Sequence, residues 1–177
     1  MRTPRAWRVL ERAFRAGKEK EGFNVAEFSV QNDHLHLIVD TRDERTLAKG
    51  MQGLAIRIAK ALNRYWRRRI GSVFAERYFA RVLTTHIQLW RAVKYVLSNA
   101  RKHGAWFSKD QPDPYSSGRW YCRWHERDRI RRPLRGAPVS PGRSLLFAFY
   151  ALSFFSVADV PGRRQYDDCG PTELAGT

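Results

Sequence analysis

Apolar positions along the first hundred residues switch twice between helical and strand periods. Trp7, Leu10 and Phe14 recur at i, i+3, i+7, with Arg5, Arg8, Arg12 and Arg15 on another side, which predicts an amphipathic helix over about 4–20. From Phe23 the period becomes two, with Phe28 and Val30 alternating against Ser29 and Gln31 before the turn pair Asn32-Asp33. A second strand over 34–40 then closes a hairpin. Leu47, Met51, Leu54, Ile58 and Leu62 form one stripe of a long basic helix over 44–69, and Gly71 ends it. A third strand is expected over 73–83, and a helix over about 85–103 is expected to bury Ile87, Trp90, Val93 and Leu97. Helix, strand, strand, helix, strand, helix is an α+β order with an antiparallel sheet.

After Gly104 the pattern breaks into Pro- and Gly-containing stretches, read as loops and an irregular extension over 105–177 behind a first domain over 1–104. The fifteen uncharged residues from Ser144 to Ala158 fall short of a membrane span and predict a buried helix that packs somewhere on the domain. The chain has 177 residues and a formal charge of +16. The first 104 residues hold 22 basic against 9 acidic side chains, a net of +13, so the electrostatics belong to the first domain. Such charge points to nucleic acid and gives no reason to expect a membrane partner. The 23 aromatic residues exclude a disordered basic protein. No secretory h-region follows Met1, and Cys122 and Cys169 stand far apart outside any CxxC, so a reducing cytoplasm is expected.

Candidate chemistry lies in two places. His34 and His36 alternate with Leu35, Leu37 and Val39, so both imidazoles share the strand face that the apolar side leaves open. Two neutral imidazoles begin a divalent-metal site; half-exposed surface histidines are the plainer alternative. Tyr95 and Asn99 stand at i and i+4 on one helix face, with Arg91 and Lys102 extending the polar stripe. A tyrosine there is a candidate nucleophile, and otherwise an amphipathic surface residue.

The stretch from Phe28 to Val39 (FSVQNDHLHLIV), then 71–78 (GSVFAERY), then Tyr95 to Gly104 (YVLSNARKHG) resembles the REP-associated tyrosine transposases of the HUH single-tyrosine superfamily. The resemblance covers about 4–104. It implies a ferredoxin-like antiparallel sheet, helices on one face, and a tyrosine-bearing helix docked at the active site. It further implies His34, His36 and Asn99 as ligands of Mg²⁺ or Mn²⁺ and Tyr95 as nucleophile on single-stranded or hairpin DNA. The expected chemistry is cleavage through a 5′-phosphotyrosine that frees a 3′-OH, in a monomer or homodimer. Phenol ionises near pH 10, so attack at neutral pH needs a base or cationic field nearby.

Arg5, Arg8, Arg12, Arg57, Arg64, Arg67, Arg68, Arg91 and Lys102 are the expected DNA-binding cations, on helices flanking the cleaved strand. The family usually has a strand ahead of the first helix. Without a counterpart here, the sheet is expected to leave an unpaired edge beside the histidine strand. That gap opens a second reading, a catalytically inactive or domesticated DNA-binding remnant. Asp33 precedes the histidines where the family usually has Asn; we read it as a turn cap, with orientation of His34 as the alternative. Ala100 stands where many members have Pro. Tyr115, Trp120, Trp124 and the arginines over 127–135 are candidates to stack and neutralise single-stranded DNA, or else a solvated basic loop. An RNA-binding module with Phe28 or Tyr78 stacking bases is a third possibility.

Overall fold

A computed structural model of the chain describes residues 1–18, 22–67, 72–75, 77–105, 111–121 and 135–140, and the backbone of 148–154. Arg68, Trp124, the arginines over 127–132 and most of the uncharged C-terminal run lie outside the described residues. The elements are α1 (Pro4–Ala16), β1 (Phe23–Val30), β2 (Leu35–Thr41), α2 (Glu44–Tyr65), β3 (Phe79–Leu83), α3 (His86–Lys102) and β4 (Ala148–Phe154). No described helix is long and apolar enough to cross a membrane.

Local chemistry sets the boundaries. Thr3 caps α1 by accepting the amide of Ala6, with Pro4 in the first turn; Asp43 and Thr85 cap α2 and α3 in the same way. Between β1 and β2 the Asn32-Asp33 turn closes with the Gln31 amide on the His34 carbonyl, so His34 sits at the strand mouth and the strand begins at Leu35. The third strand is shorter than expected, 79–83, and Val73 is buried in the main core instead.

The strands form one antiparallel sheet in the order β1-β2-β4-β3. β2 and β3 both run antiparallel to β4, so they are parallel to each other, and α2 is the crossover between them. The position beside the histidine strand, expected to be vacant, is therefore filled by β4, which pairs Leu35–Thr41 on one side and Phe79–Leu83 on the other. This corrects two expectations: the uncharged run supplies a strand over 148–154 where a buried helix was expected, and the extension completes the sheet. A strand with neighbours on both edges draws on an apolar run, and a run of that length suits a helix as well.

One face of the sheet carries the main core. Leu35, Leu37 and Val39 of β2 pack with Phe28 and Val30 of β1 against Leu10 and Phe14 of α1 and the expected α2 stripe Leu47, Met51, Leu54, Ile58 and Leu62. Phe28 is fully buried, stacked between Trp7 at 5.5 Å and Phe14 at 4.8 Å. It is a core residue and cannot stack on RNA bases. Tyr78 also packs on this core. Gly50 brings α2 close to β1, because a Cβ there would fall 2.2 Å from the Phe23 ring.

α3 covers the opposite face with a smaller core of Val96, Ile38 and Ala26, joined by Leu89, Ala92 and Val93. Leu97 is buried as expected, but Ile87 and Trp90 are exposed. The helix is rotated so that the 89-92-93-96 stripe meets the sheet, which leaves 87 and 90 outside.

Residues 111–121 are a docked strap. Arg2 holds Asp113 through two hydrogen bonds of 2.7 and 2.8 Å, both side chains nearly inaccessible, and also donates to the Val30 carbonyl. The Val30 amide bonds the Tyr115 carbonyl, and the Phe28 amide bonds the Ser117 hydroxyl, so the strap covers the outer edge of β1. Tyr115 packs against Trp7 and under the Arg2 guanidinium, and Trp120 packs on the main core and donates to the Arg135 carbonyl. Neither residue belongs to a free DNA-stacking loop.

Candidate active site

Strand alternation and helix spacing converge on the α3 face of the sheet. Leu35, Leu37 and Val39 point into the main core, so His36 must point the other way, toward α3. There Tyr95 meets it edge to face, ring centres 5.4 Å apart. Tyr95, Asn99 and His103 follow at four-residue intervals on α3, and His103 stands 6.5 Å from His34, ring centre to ring centre. Two histidines at the start of β2 thus face a Tyr-Asn-His stripe that runs along α3 to its C-cap.

His34 Nδ1 lies 2.8 Å from Asp33 Oδ1, and because a carboxylate only accepts, Nδ1 donates to it and the ring turns Nε2 toward His36. That Nε2 stands 3.1 Å from His36 Nε2. Asp33 therefore orients His34, the alternative to the turn-cap reading, because the tight turn sets its carboxylate beside the next residue's ring. Burial, followed by the charges of His34 and His103, pushes His36 down to about 3, which keeps this ring neutral and its nitrogen available as a donor. His103 is also held below its ordinary value, by burial first and then by His34.

Asn99 is completely buried, and neither its amide oxygen nor its nitrogen has a hydrogen-bond partner among the described residues. A buried amide left without a partner is costly and points to an absent group. Tyr95 keeps 42% of its surface exposed, enough to reach a strand in solution, and Lys102 Nζ lies 5.4 Å from the centre of its ring.

Two nitrogens bound at about 2.1 Å to one ion, at angles between 90° and 110°, stand about 3.0–3.4 Å apart. The imidazole pair at 3.1 Å meets that requirement, and the orphaned Asn99 oxygen offers a third donor of the hard type. The residues fit a divalent cation. Among the described residues, no three His, Cys, Asp or Glu side chains already converge as a complete ligand set.

The predicted cations divide. Arg91 and Lys102 lie on α3 with the tyrosine. Arg5, Arg8, Arg12, Arg57, Arg64 and Arg67 lie on or just beyond α1 and α2, which pack on the other sheet face. They do not flank the Tyr95 side, because the α1 and α2 apolar stripes commit those helices to the Leu35-Leu37-Val39 face. Arg57 instead lines a cavity of about 360 Å³ with Phe23, Arg42, Thr46, Lys49, Gly50 and Gly53. His103 is the site residue that sequence reasoning missed. Its spacing of eight from Tyr95 was the available signal.

Comparison with known proteins gives no match among curated proteins and none among solved structures. A family model described as "Transposase IS200 like" matches residues 5–99, a stretch that runs from α1 through Asn99 and contains both histidines and the tyrosine. With more than half its length matched and the histidine and tyrosine elements brought together, the chain belongs to the IS200-like transposase family.

Proposed function

We propose that this transposase-family protein cleaves and rejoins single-stranded DNA, with Tyr95 as nucleophile and His34, His36 and Asn99 as the ligands of a divalent ion. The observation that carries the reading is the Tyr95 ring at 5.4 Å from the neutral His36 imidazole, with the phenol open to solvent. Tyr95 Oη attacks the phosphorus of a phosphodiester. The P–O3′ bond breaks, the 5′ side stays joined to the tyrosine, and the phenolic proton balances the 3′-oxygen as a 3′-OH. A 3′-OH attacking the phosphotyrosine reverses the step, so no external energy source is needed.

Lys102 sets positive charge beside the Tyr95 ring, where it attracts the phosphate, and Arg91 extends that field one turn earlier. Asp33 holds His34 in the orientation that presents Nε2. A bound Mg²⁺ or Mn²⁺ supplies charge neutralisation at the scissile phosphate, and two imidazoles favour Mn²⁺ in vitro. We read the cations of α1 and α2, on the other sheet face, as holding DNA away from the cleaved bond, a role that suits the duplex part of a hairpin. β4 beside the histidine strand supports the enzyme reading over the inactive remnant.

The test is incubation of the full chain with end-labelled hairpin oligonucleotides and Mn²⁺. The expected products are a strand bearing an extendable 3′-OH and a protein-linked 5′ fragment. Binding without cleavage by the folded protein would select the non-catalytic DNA-binding reading.

A further inference from the structure

We propose that the sheet face between α3 and β3 is a subsite for the unpaired segment of DNA next to the cut, with one base stacked on Phe79 and its phosphate held by Arg81. This rests on the single-stranded DNA substrate read above and adds two residues to which that reading gives no role.

The register of the sheet places the subsite. His36 of β2 and Phe79 of β3 both pair with Ser153 of β4, one from each side, and Ile38 and Arg81 both pair with Ala151. Residues directly opposed in an antiparallel sheet project to the same face, so Phe79 and Arg81 share the α3 face with His36 and Ile38. Chain alternation agrees, because the preceding Tyr78 packs on the main core, on the other face. At about 4.8 Å per strand step, Phe79 stands about 10 Å from His36 across the sheet. A phosphate held at His36 thus leaves the base of an adjoining nucleotide within reach of the Phe79 ring.

The orientation of α3 turns its cations to the same place. Arg101 donates to the Gln111 carbonyl of the strap, which lies along the outer edge of β1, whereas Tyr95 meets His36 on β2. One flank of the helix therefore faces the strap, and the flank of Arg91, Tyr95 and Lys102 faces β4 and β3.

Phe79 keeps 65% of its surface exposed, and Arg81 and Arg91 are exposed as well. A bared ring, an arginine two residues on along the same face, and further cations on the facing helix are the make-up of a site for single-stranded nucleic acid. The ring stacks on any unpaired base and the cations track the backbone. Bases inside a duplex are already stacked on one another and cannot use it. A second copy of this chain would bring its own Arg81 against the same positive face, which a polyanion instead neutralises.

The test measures DNA binding by the full chain through fluorescence anisotropy, in the Tyr95→Phe background so that no cleavage intervenes. The probes are hairpin oligonucleotides with a single-stranded flank in which one nucleotide at a time is made abasic. Phe79→Ala, Phe79→Leu and Phe79→Trp are compared, each checked for folding by circular dichroism; Leu keeps apolar bulk and Trp keeps a stacking surface. The expected result is one flank position at which loss of the base weakens binding about 5- to 150-fold. Phe79→Ala and Phe79→Leu should weaken binding of the intact oligonucleotide by the same factor and lose nothing further at that position, while Phe79→Trp binds like the parent. Losses that multiply at every position, or Phe79→Ala binding like the parent, would overturn the subsite. A change of oligomeric state in Phe79→Ala with unchanged DNA affinity would overturn it too, and give the face to a second copy. A Tyr95 adduct in the otherwise wild-type chain, with full affinity in Phe79→Ala, leaves cleavage standing without the subsite. A position-specific loss without any adduct leaves the subsite standing on a protein that binds DNA and does not cut it.

Discussion

Glu27 offers a sharp test of how the strap is joined to the sheet. It sits on β1 where the register with β2 slips between Val25 and Glu27, and Ser117 of the strap donates its hydroxyl to the carboxylate. Burial raises Glu27 from 4.5 to about 7, only partly opposed by the Ser117 hydrogen bond. Below pH 4.5 the folded and unfolded chains both carry this proton, and the side chain has no pH-linked penalty. Between pH 4.5 and 7 the unfolded chain releases the proton and the folded chain keeps it, so stability falls as pH rises. The loss levels off above pH 7 at a ceiling of about 3 kcal/mol.

His36 acts in the opposite sense. With an ordinary value of 6.5 and a folded value near 3, it costs stability as pH falls below 6.5. From pH 4.5 to 6.5 the two slopes, each about 1.4 kcal/mol per pH unit, cancel. Glu27→Gln keeps an acceptor for Ser117 and removes the titration. Its stability is expected to match wild type near pH 4.5, to climb steeply toward pH 6.5, and to exceed wild type by up to about 3 kcal/mol at pH 8. Urea unfolding followed by tryptophan fluorescence, in chelator to keep the histidines metal-free, measures this directly. A difference that does not vary with pH, or a variant less stable at pH 8, would refute burial as the cause.

Other consequences follow from the same packing. Asp113→Ala leaves the buried Arg2 guanidinium without its carboxylate and is expected to cost about 3–5 kcal/mol in urea unfolding, far more than a surface pair. Phe28→Ala empties a fully enclosed aromatic site between Trp7 and Phe14, with an expected loss of about 3–5 kcal/mol; a base-stacking role would instead leave stability unchanged and weaken nucleic-acid binding. Ala151→Pro breaks a strand paired to Ile38 on one side and Arg81 on the other, and is expected to lower stability by about 3 kcal/mol or more. An unchanged midpoint for that variant would place β4 outside the sheet.

Much of the site was legible because it rests on short-range periodicity. Alternation put His34 and His36 opposite Leu35 and Leu37, and four-residue spacing put Tyr95 and Asn99 together; neither inference needs the rest of the chain. The α2 stripe was legible for the same reason. What escaped depends on long-range choices. The run over 148–154 reads equally well as helix or strand, and only the position between β2 and β3 decides. The exposed placement of Ile87 and Trp90 depends on which α3 stripe the sheet accepts. The far-face location of Arg5, Arg8 and Arg12 follows from α1 joining α2, which no local pattern encodes. The Asp33 contact with His34 stood in the sequence as the alternative to a turn cap, and the tight turn decides for it, whereas the place of His103 required seeing a helix end in three dimensions.

The most direct measurement for the nucleophile assignment is mass spectrometry of the protein after incubation with a single-stranded hairpin oligonucleotide and Mn²⁺. The expected species is a denaturation-resistant adduct in which the 5′-phosphate of the cleaved strand is joined to Tyr95. It should vanish in Tyr95→Phe, whose fold and DNA binding are retained. An adduct on another residue, or one that survives Tyr95→Phe, would show that the Tyr95 ring beside His36 is not the nucleophile.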